Sequence, residues 1–175
     1  MTLNEIISAA LDQKGVTPAA RTIDKSAGAF TQYVNEAAMD LADDFKLFRT
    51  EPVTLENKSF DTTSLSRYCT KILSVKQDGK SLAFDDGDES GEISVCAEGE
   101  VSVAYRYVPN DVSSDSDVPD IPEYLHRLIV LYVVARDRAS GDASTQNASG
   151  VYFSLYNEQK RKLIKAKPSR LINIF

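Results

Sequence analysis

The apolar residues of this chain change period twice, and that switch limits the fold more than any single motif does. Ile23, Ala27, Phe30, Val34, Ala37, Leu41, Phe45 and Phe48 follow steps of four and three, the mark of one buried helix face. Across residues 51–109 the repeat becomes two. Ile93, Val95 and Ala97 alternate with Ser94 and Cys96, and Val101, Val103, Tyr105 and Tyr107 alternate with Ser102, Ala104 and Arg106. From Pro122 onward the helical spacing returns. Such a chain is helical at both ends with strands between, so the predicted class is α+β, mainly helical. The predicted architecture is a four-helix bundle-like body with an inserted antiparallel β region and an extended C-terminal tail. Its divisions are N-terminal helices over 1–50, the β region over 51–110, an acidic linker over 111–121, a helical hairpin over 122–167 and a tail over 168–175.

Local signals fill in this outline. Leu3, Ile6, Ile7, Ala10 and Leu11 share one face of a first helix over 3–13, and Gly15 stands where it stops. Thr17-Pro18 or Thr22 opens the second helix, and Gly28 beside its seam is expected to mark a close helix crossing. In the β region, residues 93–107 are predicted to form a hairpin through Glu98-Gly99. Residues 68–84 form another through Asp78-Gly79, because Asp-Gly suits the positive φ angles of a tight turn. Val53, Leu55 and Phe60 add a strand, for one sheet of about four to six strands. Pro119 and Pro122 set up the third helix, with Pro122 in its first turn. Leu125, Leu128, Ile129, Tyr132, Val133 and Ala135 cover more than one face and make it the most buried. After Ser140-Gly141-Asp142 the fourth helix is expected to turn Ala148, Val151, Tyr152, Leu155, Leu163 and Ala166 inward, and Lys167-Pro168 ends it.

At 175 residues the chain can bury roughly 70% of its unfolded surface and fold alone. Its net charge of −6 argues against a protein that grips nucleic acid, which needs a basic surface. Glu5 stands where a signal peptide would be positive, and no apolar run approaches the roughly 20 residues of a membrane span. Cys69 and Cys96, without metal-ligand spacing, read as small buried thiols in strands. His126 has no nucleophile pattern near it, and the glycines form no phosphate cradle. Aligning Gly87 with the sixth position of an EF-hand loop puts Leu82, Phe84 and Ile93 where ligands are needed, so residues 85–92 read as a solvated acidic turn. Asp111, Asp115, Asp117 and Asp120 read as a flexible acidic link. Adjacent Asp43 and Asp44 point different ways from a helix and suit no acid–base pair. No catalytic residue, cofactor or metal is assigned.

Charge is segregated along the chain. Thirteen acidic residues stand against Lys80 and Arg106 over 78–123, whereas 160–170 holds six basic residues and no acidic one. One reading is two solvated faces of opposite sign; the sharper one has Asp85, Asp86, Asp88 and Glu89 of one copy meet the basic helix end of the next, with Lys162, Lys165 and Arg170. The final residues, 169–175, are apolar, and such an end needs a surface to receive it.

The run Val118-Pro-Asp-Ile-Pro-Glu-Tyr-Leu-His-Arg-Leu-Ile-Val-Leu-Tyr-Val-Val-Ala-Arg-Asp-Arg138, followed by 148–163 with Phe153, Tyr156 and Lys160, resembles the head-to-tail adaptor (connector or neck) proteins of tailed bacteriophages. The order of elements extends the resemblance over most of the chain. It implies a structural protein of the virion neck, made in the host cytoplasm, that forms a homo-oligomeric ring of commonly about twelve copies. The implied partners are further copies, the portal protein and a tail or second neck protein; DNA passes without specific binding, and no membrane is involved. The resemblance implies portal or neighbour binding by Leu171, Ile172, Ile174 and Phe175. It also admits Asp85, Asp86, Asp88 and Glu89 as channel or inter-subunit loops, although acidic β turns are not hallmarks of that family. The alternative is a soluble binding module whose acidic β loops contact a basic partner or a cation.

Overall fold

The structure, a computed structural model, describes residues 1–85, 91–141 and 143–166. It divides into a helical unit, Met1–Phe45 with residues 110–166, and a β unit, Lys46–Pro109. The helical unit holds α1 (Leu3–Gln13), α2 (Ala20–Asp44), α3 (His126–Ala139) and α4 (Ala143–Ala166). The β unit holds β1 (Phe48–Leu55), β2 (Ser59–Asp61), β3 (Cys69–Gln77), β4 (Lys80–Leu82), β5 (Phe84–Asp85), β6 (Glu92–Val95) and β7 (Gly99–Tyr107). The class is thus α+β and mainly helical.

α1 starts on a capping box. The Thr2 hydroxyl accepts from the Glu5 N–H at 3.3 Å, and the Thr2 N–H donates to the Glu5 carboxylate at 2.9 Å. Leu3, Ile6, Ile7, Ala10 and Leu11 are buried, as their spacing predicts. α2 opens differently from expectation: Ala19 is its N-cap and no side chain caps it, so neither Thr17 nor Thr22 serves. Its seam is buried from Phe30 through Val34, Ala37 and Leu41 to Phe45, whereas Ile23 and Ala27 are half-buried. Gly28 is exposed, and a Cβ added there would meet nothing within 4 Å, so no helix crosses closely at that point. Phe48 leaves the seam for β1, because α2 ends at Asp44 and Lys46 takes a left-handed φ of 51° that redirects the chain.

Pro122 lies outside α3 instead of in its first turn. It stands extended before a 3₁₀ turn, Glu123–Leu125, and its carbonyl accepts the Leu125 N–H at 2.9 Å. α3 is buried on nearly all sides, from Leu128 to Ala135, and each large apolar side chain contributes about 1.5–3 kcal/mol before entropy is subtracted. α4 turns inward only part of the predicted face, with Ala148, Tyr152 and Leu163 half-buried. Val151, Leu155 and Ala166 are exposed, whereas Ser149 and Tyr156 are buried and Phe153, Lys160 and Leu163 half-buried. Specific contacts set this rotation. The Ser149 hydroxyl donates to the Ala135 carbonyl at 2.8 Å, and Tyr132 packs edge-on against Phe153 and Tyr156.

The stretch expected to be a flexible acidic link is instead part of the helical unit. Val112 is buried, and the Asn35 amide both donates to its carbonyl at 3.1 Å and accepts its N–H at 2.9 Å. The Asp117 carboxylate accepts the N–H groups of Ser113 and Ser114, which hold it below the usual carboxylate range. The Asp117 and Asp115 carbonyls take the N–H groups of Leu3 and Asn4, two of the donors that a helix start leaves open.

The β unit is two antiparallel sheets instead of one, ordered β1-β7-β3-β4 and β2-β6-β5. The Asp78-Gly79 hairpin forms as predicted, with both residues at positive φ and Gln77 opposite Lys80. The expected hairpin of residues 93–107 does not. β6 pairs with β2 and β5, while β7 lies between β1 and β3, so the two strands join different sheets. The Ala97 N–H donates back to the Val95 carbonyl at 2.9 Å, a turn that carries the chain from one sheet to the other. For the same reason Val53 and Leu55 belong to β1 and Phe60 to β2. One apolar cluster joins both sheets, with Val75, Val101, Val103, Tyr105, Phe60 and Ile93 among its members. The cysteines depart from expectation: Cys69 is only half-buried and Cys96, in the turn after β6, is exposed. Burial pushes the Cys69 thiol up.

Candidate interaction surface

The inner side of α4 is fixed by a polar network that the sequence reading did not identify. Asp40 and Asp44 sit one turn apart on α2, and Tyr156 and Lys160 one turn apart on α4, so the two pairs meet. Lys160 Nζ lies 2.8 Å from Asp40 and 2.5 Å from Asp44, and the Tyr156 hydroxyl donates to Asp40. The Lys160 side chain is only 12% exposed. Burial opposes its charge, but the hydrogen bonds to Asp40 and Asp44 outweigh burial and raise its pKa. Burial and then Asp40 push the Tyr156 hydroxyl far above its ordinary value, so it stays a donor. A second link binds α3 to α2, where Arg136 Nε meets Glu36 at 3.0 Å and raises the arginine pKa further.

This network reshapes the basic patch expected at the end of α4, because Lys160 is spent inside the unit. Lys162 is exposed and pairs with Glu158 at 2.6 Å, lowering the glutamate pKa, and Arg161 and Lys165 are exposed. Arg170, Leu171, Ile172, Ile174 and Phe175 lie outside the described residues. The outer face of α4 carries Val151, 60% exposed, and Leu155, 39% exposed, one turn apart and followed at helical steps by Glu158 and Lys162. An apolar strip ending in charge thus faces away from the network.

In the β unit one hollow has a volume of about 750 Å³. Ala83, Phe84, Val95 and Ala97 supply apolar wall, and Lys58, Asp85 and Glu98 the charge, with Lys58 and Glu98 3.9 Å apart. Asp85 is the one predicted acidic-loop residue that the structure places, exposed at the end of β5; Asp86, Asp88 and Glu89 lie outside the described residues. A smaller polar hollow of about 390 Å³ is lined by Glu56, Asp61 and Glu92. There Asp61 accepts the Thr63 N–H at 2.7 Å and is lowered by Thr63, so it caps a turn. Among the described residues no cluster of His, Cys, Asp and Glu is arranged to hold a metal.

His126 is a core residue. Its Nδ1 faces the Met1 amine at 2.8 Å, and its Nε2–H donates to the Ile121 carbonyl at 3.1 Å. Burial holds its pKa below the ordinary histidine value. No described helix is long and apolar enough to cross a membrane. No protein-family model matches the chain, and no curated protein matches it either.

Proposed function

We propose that this chain is a structural subunit, without catalytic function, of a bacteriophage head-to-tail connector ring. It sits beneath the portal in the virion neck and forms part of the DNA channel. The observation that carries the reading is the outward strip of α4. Val151 and Leu155 lie in solvent on a helix whose other face is pinned by Tyr156 and Lys160, so the strip is held ready for a further protein surface. The opposite signs of the chain's acidic middle and basic helix end support contact between copies. The net negative charge suits a passage through which a duplex slides without adhering. Portal, tail or second neck protein and further copies are the partners in this reading.

A second reading, a binding module, draws on the hollow of the β unit, where Asp85 and Glu98 stand beside Lys58. Mass photometry of the full chain, alone and with portal rings, separates the two. The connector reading expects a multimer, or a multimer assembled on the portal. A persistent single-chain mass in both samples would contradict it and favour the module.

A further inference from the structure

The hollow of the β unit and the residues that follow α4 match in chemistry. The hollow's volume, about 750 Å³, lies within the range of roughly 300–1,000 Å³ typical of ligand pockets. Its wall is apolar at Phe84, Val95 and Ala97, and its rim bears Asp85 and Glu98, with Lys58 3.9 Å from Glu98. β5 is a two-residue strand that ends the order of its sheet among the described residues. The nine residues after Ala166 read Lys-Pro-Ser-Arg-Leu-Ile-Asn-Ile-Phe, placing two cations before four apolar side chains. Fully extended, such a segment reaches about 30 Å.

We propose that residues 171–175 of one copy fill this hollow in a second copy, with Lys167 and Arg170 set against Asp85 and Glu98 of its rim. The apolar side chains leave water for the Phe84–Val95–Ala97 wall, while the cations face Asp85 and Glu98. A like-on-like contact would bring equal charges together, whereas tail into hollow pairs opposite ones. A heterologous contact of this kind repeats from copy to copy and closes into a ring when its rotation allows. The inference rests on the connector reading and gives its copy-to-copy contact a definite seat.

Cys96 in the wall provides the test. In the full chain carrying Cys69→Ser and Ile174→Cys, mild oxidation should join the introduced thiol to Cys96 between copies, giving a ladder on non-reducing gels. Ala83→Trp, at an exposed position on the wall, should lower the yield about tenfold by occupying the space. Lys167→Glu with Arg170→Glu should lower it similarly, and Asp85→Lys with Glu98→Lys should restore it. Absence of the link, a link confined to single chains, or a yield indifferent to Ala83→Trp would overturn the proposal. Mass photometry of the same samples separates the failures. A multimer without the link sinks the seat alone, whereas a single-chain mass sinks the connector reading with it.

Discussion

The helical unit and the β unit use polar residues in opposite ways. In the helical unit they bind one helix to another: Lys160 to Asp40 and Asp44, Arg136 to Glu36, and Lys14 to Asp137 at 2.5 Å. In the β unit they work at turns and sheet margins, as where Glu51 accepts from Ser66 and the Gln77 amide donates to the Glu98 carbonyl. Directional contacts thus set the rotation of α4 and leave Val151 and Leu155 outside. The β unit depends on strand register, chiefly that of β7, and keeps an open hollow at the edge of its smaller sheet. One unit is set by directional contacts between helices and the other by strand register.

The strongest challenge to this contrast is Phe30→Ala, expected to cost about 3–5 kcal/mol because Phe30 is fully buried in the helical unit. Hydrogen exchange should show lost protection in α1 to α3 while β3 and β7 keep theirs; equal losses in both units would break the comparison. Lys160→Met comes next, at about 1.5–3 kcal/mol, since it leaves Asp40 and Asp44 facing each other without their cation. Chemical denaturation of this variant, of Tyr156→Phe and of the double variant should give less than the sum of the single effects. Additivity would show that the network does not act as one unit.

A smaller effect follows from His126. Its folded pKa lies below the ordinary 6.5 because burial disfavours the charged ring, so the unfolded chain takes up the proton first. This part of the stability is complete above about pH 6.5 and is lost as the pH falls through the lower folded pKa. The urea midpoint should therefore drop between about pH 7.5 and about pH 5.5, and His126→Gln should flatten that drop. Gly28→Ala has the smallest effect and the opposite sign. With open space around it, the added methyl should stabilise α2 by about 0.5–1 kcal/mol, read as a small rise in melting temperature.

The legibility of the fold followed the range of its contacts. α1 could be read from the sequence because its apolar spacing and the glycine after it are local, and so could the Asp78-Gly79 turn. The partners of β6 and β7 could not, since alternation fixes which face a residue takes and not which strand it joins. The face of α4 was hidden for another reason. Its inward steps of four and three run through Ser149, Phe153, Tyr156, Lys160 and Leu163, so polar residues share the core positions while Val151, Leu155 and Ile164 stand outside. Asp40 and Asp44 at i and i+4, opposite Tyr156 and Lys160 at the same spacing, were the available signal. The linker misled by composition: its Asp and Ser residues close turns and satisfy the start of α1. Of the predicted contact residues, Asp85, Lys162 and Lys165 are placed, all exposed.

The central claim is that the outer face of α4 exists to meet another protein. It is tested most directly by mass photometry of the full chain beside a Val151→Asp, Leu155→Asp variant, each with and without portal rings. The account predicts a multimer, free or portal-bound, that collapses to single chains in the variant while circular dichroism stays unchanged. Single chains in every sample, or multimers indifferent to the two substitutions, would contradict it.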